Sequence, residues 1–263
     1  MPPDGRRAPT ILAMGGGGFT AGPVDPALDD LVLGLTGVPR PRVCLLPTAG
    51  GDSEHQIRRF YETFGDRLCE PSHVSLFRLG RQPVPLREHL LAQDAIYVGG
   101  GSMVNLLAIW RAQGLDAILR EAWQAGVVLA GLSAGSMCWF EWGITTSSGA
   151  PAPARGLGFL PGSNSVHHDG EPARRPVYLD AVRDGVLPPG WAVDDGAALL
   201  FRGAALAGVV SARPQARAHA VTADGEQPLA TRALEPPDTR RVTLPAVAEL
   251  RRLHTARMGV ARD

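Results

Sequence analysis

The chain has 263 residues, of which 44% are hydrophobic and 20% are charged, and its formal net charge is zero. These proportions indicate a globular protein with a sizeable core, and the lack of a basic block argues against nucleic acid as the main partner. All 26 basic residues are arginine, which excludes chemistry that uses a lysine as general base or Schiff-base partner.

Apolar runs and helical spacing alternate through the first half of the chain. The apolar runs predict five strands, at residues 10–14, 42–46, 73–77, 94–98 and 127–132. Helical spacing predicts helices between them, at residues 26–35, 53–64, 86–91, 103–112 and 115–125. Strands that alternate with helices across short glycine-rich turns are typical of an α/β fold, here a three-layer sandwich with a mostly parallel central sheet.

The second half of the chain is less regular. Residues 143–162 are rich in Gly, Pro, Ser and Thr and are predicted to form an active-site loop. The pattern then predicts an extended piece at 164–167, a helix at 172–183, strands at 191–193, 197–201 and 204–210, and an antiparallel edge formed by 218–222 and 240–244. We expect a single domain over 1–263, with a flexible N-terminus at 1–8 and a helical, arginine-rich tail at 246–263.

Four turns rich in glycine or other small residues follow predicted parallel strands, at 15–18, 47–51, 99–101 and 131–135. Ligands bind beyond the carboxyl ends of such strands, so these turns should line one cleft. The run of four glycines at 15–18 does not match the dinucleotide-binding pattern. We expect it to be a tight turn that brings the backbone close to a neighbouring loop.

The stretch around which the chain is organised is Gly-Leu-Ser-Ala-Gly at 131–135, between the strand at 127–132 and residues with helical character. This G-x-S-x-G pattern is typical of a nucleophile elbow, although it also occurs as an ordinary turn. Small residues let strand and helix approach closely around a strained turn that pushes Ser133 out beyond the sheet. The N-terminus of the helix then offers free backbone N–H groups to an oxyanion.

A serine nucleophile needs a base, and the chain has seven histidines. Most of them fall on predicted helices, on a strand or in the tail, where a structural or surface role is usual. His167 and His168 differ, because they follow a loop and precede a helix, from which a side chain could reach over the elbow. The alternative is a cluster at a helix start that Asp169 caps.

Several separated motifs occur in order along the chain: Val98-Gly-Gly-Gly101, Asn105-Leu-Leu107, Gly131-Leu-Ser-Ala-Gly135, Cys138-Trp-Phe-Glu141, Gly156-Leu-Gly158 and His167-His-Asp-Gly-Glu-Pro172. Together they resemble the peptidase E family of serine peptidases, which includes aspartyl dipeptidases and is similar to the cyanophycinases. The resemblance extends from the first strand to about Phe201. It implies a fold like that of a class I glutamine amidotransferase, with serine in place of cysteine at the elbow.

The resemblance also implies roles for individual residues. Ser133 resembles the nucleophile and His167 the base, because the family has its histidine at that position and usually a tyrosine at the next. The N–H groups of Gly100 and Ala134 resemble the oxyanion hole. No metal and no cofactor are implied.

The sequence departs from the family pattern at three places. Ser102-Met103 stands where Asn-Thr is usual after the three glycines. The loop that usually carries the family's acid contains only hydroxyl side chains, at 145–148. The arginine that reads the substrate's aspartate is replaced by Ala173, and Arg174 and Arg175 follow it as the candidates for binding a substrate carboxylate, the alternative being a solvated pair.

Three carboxylates could replace the missing acid. Asp169 is our first choice, because an extended backbone would point its side chain the same way as that of His167, two residues earlier. Glu171 would need a turn to bring it back, and Glu141 would lie too far along an unbroken helix from Ser133. If none of them serves, a hydroxyl or a carbonyl would orient the histidine in a slower dyad.

These observations predict a serine exopeptidase that hydrolyses dipeptides or short peptides through an acyl-enzyme on Ser133, with N-terminal aspartate as the preference that the resemblance implies. The alternative is a catalytically weak or inactive member of the fold that binds a peptide or amino acid. A third reading uses Cys138 as nucleophile, but its expected place inside the helix favours a core role.

The expected setting is the cytoplasm, since the start of the chain has no signal-type segment and no apolar run reaches transmembrane length. The three cysteines show no metal-ligand spacing and fit a reducing compartment. We expect a small peptide as the partner, no nucleic acid and no membrane, and leave open a homodimer.

Overall fold

The computed structural model describes residues 7–20, 26–81 and 83–235, and they form two sheets with flanking helices. The strands are β1 Thr10–Met14, β2 Arg42–Leu46, β3 Glu70–His73, β4 Ala95–Val98, β5 Val128–Leu132, β6 Phe140–Thr145, β7 Ala152–Arg155, β8 Leu160–Val166, β9 Gly190–Val193, β10 Ala197–Arg202, β11 Ala205–Ser211, β12 Ala218–Thr222, β13 Gly225–Pro228 and β14 Thr231–Ala233. The helices are α1 Ala27–Leu35, α2 Glu54–Phe64, α3 Leu86–Leu91, α4 Met103–Ala112, α5 Leu115–Gln124, α6 Ala134–Met137 and α7 Arg174–Arg183.

The large sheet has eight strands in the order β14-β11-β10-β1-β5-β4-β2-β3. The five strands from β1 to β3 in this order run parallel to one another, whereas β10 and β11 are antiparallel to their neighbours towards the centre. In β5, Leu132 lies opposite Met14 at the end of β1. The turns after β1, β4 and β5 therefore emerge at the same edge of the sheet.

Alternate residues of the parallel strands face two separate cores, as expected for strands buried on both sides. In β1, Ile11 and Ala13 pack into a core that also contains apolar residues of α3, α4, α5 and α6. Leu12 and Met14 point the other way, into a core that includes Phe60 and Phe64 of α2. In β5, Leu129 packs into the first core and Ala130 into the second, so the turn after β5 is held by packing on both faces of its strand.

A small sheet of six strands, in the order β13-β12-β9-β8-β6-β7, lies beside the large one. Its own core includes Tyr178 and Val182 of α7, together with Ile144 and Ala192 from the sheet. The parallel pairing of β8 with β9 aligns Val166 with Val193, so the segments that follow these two strands begin side by side. This register brings His167 and Asp195 into the same place.

The predicted α/β fold with a mostly parallel sheet is confirmed, and strands 10–14 and 42–46 and helices 86–91 and 103–112 have the predicted bounds. The active-site loop predicted over 143–162 is wrong, because this segment contains the end of β6, all of β7 and the start of β8. Its Gly, Pro and Ser residues occupy strand and turn positions at the periphery of the small sheet, where apolar patterning is weak.

Other boundaries shift for local reasons. The strand predicted at 73–77 lies at Glu70–His73 instead. Val74 and Leu76 are buried, as in a strand, but Val74 follows the strand and Leu76 begins a 3₁₀ turn, Leu76–Arg78. The strand at 218–222 pairs with β9 and β13. The partner predicted for it at 240–244, the tail at 246–263 and the first six residues of the predicted flexible start lie outside the described residues. Arg7, which is described, pairs with Asp94.

Within the described ranges, no helix has the length and apolar character needed to cross a membrane.

Candidate active site

The turn after β5 has the geometry of a nucleophile elbow. Ser133 adopts φ 54° and ψ −118°, a region that a non-glycine residue occupies only under strain. A side chain on Gly131 would overlap the carbonyl oxygen of Gly135, and a side chain on Gly135 would overlap that of Val98. Both glycines of the motif are therefore required by the close approach of strand and helix. The helix itself is short, since α6 ends at Met137 and β6 begins at Phe140.

His167 lies directly over the elbow. It follows β8, adopts a positive φ of 54°, and places its Nε2 atom 2.9 Å from the Oγ atom of Ser133. The side chain of His167 is partly exposed, at 22%, so the pair is accessible from the cleft. Of the two adjacent histidines, the structure brings the predicted one to the serine.

The carboxylate that contacts His167 belongs to Asp195, which sequence reasoning missed. Its Oδ1 atom lies 2.5 Å from Nδ1 of His167. The hydrogen bond with His167 is the main cause that lowers the pKa of Asp195, against the opposing effect of burial. Asp195 is therefore ionised at neutral pH and can act only as an acceptor, so the proton on this bond resides on Nδ1 of His167. Nε2 is then free to accept the proton of the Ser133 hydroxyl.

The glycine run after β1 gives room to Asp195. A side chain on Gly16 would overlap the Asp195 carboxylate, and one on Gly15 would overlap the carbonyl oxygen of Asp194. The N–H of Gly196 also donates to the carbonyl oxygen of Gly16. The prediction that this run brings the backbone close to a neighbouring loop agrees with these contacts.

Asp169, our first choice for the orienting acid, lies one step further away. Its Oδ1 atom accepts the backbone N–H of Asp195 at 2.9 Å, and its Oδ2 atom accepts from Arg213 at 2.6 Å. The choice of Asp169 assumed an extended backbone after His167. The chain turns there instead, and Gly170 and Glu171 donate their N–H groups to the carbonyl oxygen of His167. Asp195 therefore replaces Asp169 as the carboxylate beside His167, and Asp169 supports the backbone of that carboxylate.

The other two candidate acids have different partners. Glu141 accepts the N–H of Gly162 at 2.8 Å, and Glu171 forms an ion pair with Arg174 at 2.8 Å. A sequence signal for Asp195 did exist, because Asp194 and Asp195 directly follow a predicted strand and precede Gly196. This is the position of the other cleft-lining turns.

The backbone of Gly100 lies next to the nucleophile. A Cβ atom on Gly100 would be 3.2 Å from the Cβ atom of Ser133, so the two residues are in direct contact. Among the described residues, no acceptor is found for the N–H of Gly100 or of Ala134, the first residue of α6. The Gln56 amide donates to the carbonyl oxygen of Gly100 at 3.3 Å and fixes that loop. The two residues predicted to donate to the oxyanion thus both adjoin Ser133.

Arg174 and Arg175, the predicted substrate-binding pair, both have intramolecular partners. The Arg174 side chain is only 4% exposed and donates to the carbonyl oxygen of Val166 and to Thr146 Oγ1, each at 3.1 Å. Arg175 is half exposed and pairs with Glu226. Arg174 therefore supports the end of the strand that precedes His167, and neither guanidinium lines the cavity beside the site.

His168 belongs to a separate cluster. Its side chain is 3% exposed, its Nε2 atom lies 2.8 Å from Oε2 of Glu226, and its ring packs against that of His219. Burial is the main cause that lowers the pKa of His168, although Glu226 opposes it.

Cys138, the alternative nucleophile, is buried and has a thiol pKa raised well above its usual range by burial.

A cavity of about 770 Å³ adjoins His167 and Asp195. Glycines of the run after β1 form part of its wall, and Leu28, Leu132 and Leu234 contribute apolar surface. Arg213 lines the same cavity. No group of three or more His, Cys, Asp or Glu side chains with metal-binding geometry occurs among the residues that the structure describes. The side chains that the structure joins by hydrogen bonds at the site are those of Ser133, His167 and Asp195.

Comparison with known proteins supports the family. The sequence model of Peptidase family S51 matches residues 11–208. A protein of Bacillus subtilis (strain 168), described as the uncharacterized peptidase YgaJ, is 48% identical over 211 residues, which cover 80% of this chain and 91% of that protein.

Two solved structures share the fold. A peptidase from an acI-B1 actinobacterium matches with a TM-score of 0.66 at 22% identity, over 86% of this chain and 96% of that one. A putative peptidase E protein from Listeria monocytogenes EGD-e matches with a TM-score of 0.53 at 16% identity, over 76% of this chain and 96% of that one. The chain thus has the peptidase E resemblance that its motifs predict: it belongs to peptidase family S51 and is a peptidase.

Proposed function

We propose that the protein is a serine exopeptidase that hydrolyses dipeptides or short peptides through an acyl-enzyme on Ser133. The observation that carries this proposal is the continuous line of contacts from Ser133 Oγ to His167 Nε2, at 2.9 Å, and from His167 Nδ1 to Asp195 Oδ1, at 2.5 Å. Serine, histidine and carboxylate in this arrangement are recognised by geometry rather than by order in the chain.

The first half of the reaction forms the acyl-enzyme. Ser133 Oγ attacks the scissile carbonyl carbon while Nε2 of His167 takes the hydroxyl proton. The negative charge on the carbonyl oxygen is stabilised by the N–H groups of Gly100 and Ala134. Asp195 holds the imidazole in the tautomer that leaves Nε2 free and stabilises the imidazolium that forms. His167 then gives its proton to the leaving amine, and the C–N bond breaks.

The second half releases the product. Water attacks the ester on Ser133, with His167 now accepting the water proton, and the oxyanion hole stabilises the second tetrahedral intermediate. Returning the proton to Ser133 Oγ completes the cycle. The three side chains that act in both halves are already joined by hydrogen bonds, from Ser133 to His167 and from His167 to Asp195.

The alternative hypothesis of an inactive binding protein rested on the lack of an orienting acid in the expected loop. Asp195 lies where such an acid is needed, which favours the enzyme. The preference for N-terminal aspartate loses support for a different reason. Arg174 is buried with its own partners and Arg175 pairs with Glu226, so neither offers a free guanidinium to a substrate side chain. We therefore propose a dipeptidase whose first-position preference is not set by these two arginines.

A panel of dipeptides with Asp, Glu, Gly or Ala at the first position tests the proposal. Wild-type protein should release free amino acids from at least one of them, and Ser133→Ala should reduce the rate by about 10⁴-fold or more. A Ser133→Ala protein that keeps more than about a tenth of the wild-type rate, corresponding to only ~1.4 kcal/mol of transition-state stabilisation, would overturn the mechanism.

A further inference from the structure

The cavity beside the candidate site has the size and wall of a side-chain pocket. Its volume of about 770 Å³ lies within the range of small-molecule sites, which is about 300–1,000 Å³. The wall is mainly small or apolar and includes Leu28, Leu132, Ala212, Pro214 and Leu234. A pocket with such a wall suits an apolar amino-acid side chain.

The cavity lies on the histidine side of the reacting centre. His167 and Asp195 line it, whereas Ser133, Gly100 and Ala134 do not. In acyl transfer the oxyanion donors face the carbonyl oxygen, and the histidine delivers its proton to the leaving amine. The residue that departs with the amine is therefore the part of a peptide that this side of the site would receive.

One arginine, Arg213, lines the cavity among the described residues. The Arg213 guanidinium is 48% exposed and hydrogen-bonds Asp169 through Nη2. No other hydrogen-bond partner of the Arg213 guanidinium occurs among the described residues, and a guanidinium has five N–H donors in a planar fork. Several donors thus remain for a carboxylate, which matches this fork bidentately.

The backbone beneath Arg213 is arranged to admit its side chain. Gly196, with φ 80°, follows Asp195, and a Cβ atom on Gly196 would come within 2.8 Å of Nε of Arg213. The same Asp169 carboxylate that pairs with Arg213 also accepts the N–H of Asp195. Arg213 is therefore held at a fixed place relative to the histidine and its acid.

We propose that this cavity binds the leaving residue of the substrate, an apolar amino acid, and that Arg213 binds the free α-carboxylate of that residue. The inference rests on the proposed function and deepens it. It makes the enzyme specific for peptides that have one residue after the scissile bond, because a longer chain would carry its carboxylate beyond Arg213. The substrate class is a peptide that ends in a free, apolar residue.

The test compares matched peptides that differ only in the carboxylate. Wild-type kcat/KM for Ala-Leu should exceed that for Ala-leucinamide by about 10-fold or more, mainly through KM, as expected for a lost charged hydrogen bond. Arg213→Met should bring this ratio to within about 3-fold of one. Arg232→Met is the matched control and should keep the wild-type ratio, because Arg232 is exposed on β14 and lines a separate depression.

Two further comparisons complete the test. The first needs no variant, and the second shows whether the carboxylate that Arg213 binds belongs to the leaving residue or to the acyl-side residue. Free leucine should inhibit the wild-type enzyme competitively at concentrations where leucinamide does not. Asp-leucinamide and Asn-leucinamide differ only in a side-chain carboxylate on the acyl side. If Arg213→Met removes a preference between these two and leaves the Ala-Leu ratio unchanged, Arg213 binds the acyl-side residue and our assignment of the cavity is wrong.

Failure of this inference is distinguishable from failure of the proposed function. A neutral fluorophosphonate reacts with an activated serine and needs no leaving amino acid. Labelling of Ser133 together with equal rates on Ala-Leu and Ala-leucinamide would overturn the inference alone. Absence of both labelling and peptide turnover would overturn the peptidase mechanism on which it rests.

Discussion

The carboxylate of Asp195 lies 2.5 Å from Nδ1 of His167, although the two residues are separated by 28 positions in the chain. The parallel pairing of β8 with β9 produces this contact, because it aligns the last residues of the two strands and lets the following loops leave the sheet together. His167 is held from one side by Asp195 and from the other by Ser133, so its ring orientation is fixed before a substrate binds.

The identity of the orienting acid can be tested by comparing two aspartates. Asp195→Asn removes the charge that stabilises the imidazolium and allows the wrong tautomer, so kcat should fall by about 10²- to 10⁴-fold. Asp169→Asn is the control and should cost about 10-fold or less in kcat, because Asp169 accepts from the backbone N–H of Asp195 and from Arg213 and has no hydrogen bond with His167. Steady-state kinetics on one dipeptide measures both. A larger loss for Asp169→Asn would return our first choice to the acid role.

The two adjacent histidines should separate into catalytic and structural effects. His167→Ala should reduce kcat almost as much as Ser133→Ala, since nucleophile and base act as a unit. His168→Ala should leave kcat within about 10-fold of wild type, and it should lower the midpoint of urea unfolding because it removes a buried ring and its bond to Glu226. Kinetics and urea titration of both variants provide the comparison. Reversed kinetic effects would show that the base is the second histidine.

The space left by Gly16 should be needed for activity. In Gly16→Ala the new methyl group would overlap the Asp195 carboxylate and displace it from His167, so kcat should fall by about 10-fold or more. Gly34→Ala is the matched control, because Gly34 is exposed in α1 with open space around it. This change should leave kcat unchanged and stabilise the helix by roughly 0.5–1 kcal/mol. Equal activity of the two variants would show that the glycine run does not position the acid.

A buried carboxyl away from the site should give the protein a measurable pH dependence of stability. Burial is the main cause that raises the pKa of Asp29 to about 7, although a hydrogen bond from Tyr97 opposes it. Between about pH 4 and pH 7 the unfolded chain loses this proton while the folded protein keeps it, so the free energy of unfolding falls as the pH rises through this window. The contribution is at most about 4 kcal/mol, because each unit of pKa is about 1.4 kcal/mol.

Asp29→Asn removes the titrating group and tests this prediction. Urea unfolding at pH 5 and pH 8 should show a smaller loss of stability with rising pH in Asp29→Asn than in wild type. Asp224→Asn, in the exposed turn between β12 and β13, should behave like wild type. If Asp29→Asn and wild type lose the same stability between these two pH values, Asp29 is already ionised at pH 5.

Local sequence signals were sufficient for the elbow. Gly131 and Gly135 each lie so close to another backbone segment that a side chain would not fit, and the apolar strand before Ser133 is buried on both faces. The residues of the motif therefore predict its geometry. The position of His167 and His168 between a loop and a helix singled out this pair, and the family resemblance decided between the two. The small sheet was not predictable from the sequence, because strands such as Ala152–Arg155 are short, are largely exposed and lack an apolar pattern.

The acid was not predicted, because its contact with His167 depends on strand register across the small sheet. Asp169 is two residues from His167, but the chain turns there and directs the Asp169 carboxylate to the backbone of the next loop. Arg213 was missed for a similar reason, as it approaches the site from the segment between β11 and β12. A local pattern can place Asp195 directly after a strand, but contacts between loops of distant strands are set by tertiary pairing.

The central claim is that Ser133 is a nucleophile activated by His167 and Asp195, and covalent labelling tests it most directly. Intact mass spectrometry after treatment with a neutral fluorophosphonate should show one adduct, and peptide mapping should locate it on Ser133. The labelling rate should fall by about 10²-fold or more in Asp195→Asn, as expected for loss of the orienting acid. An adduct on another residue, or labelling of Ser133 at the same rate in Asp195→Asn as in wild type, would contradict the claim.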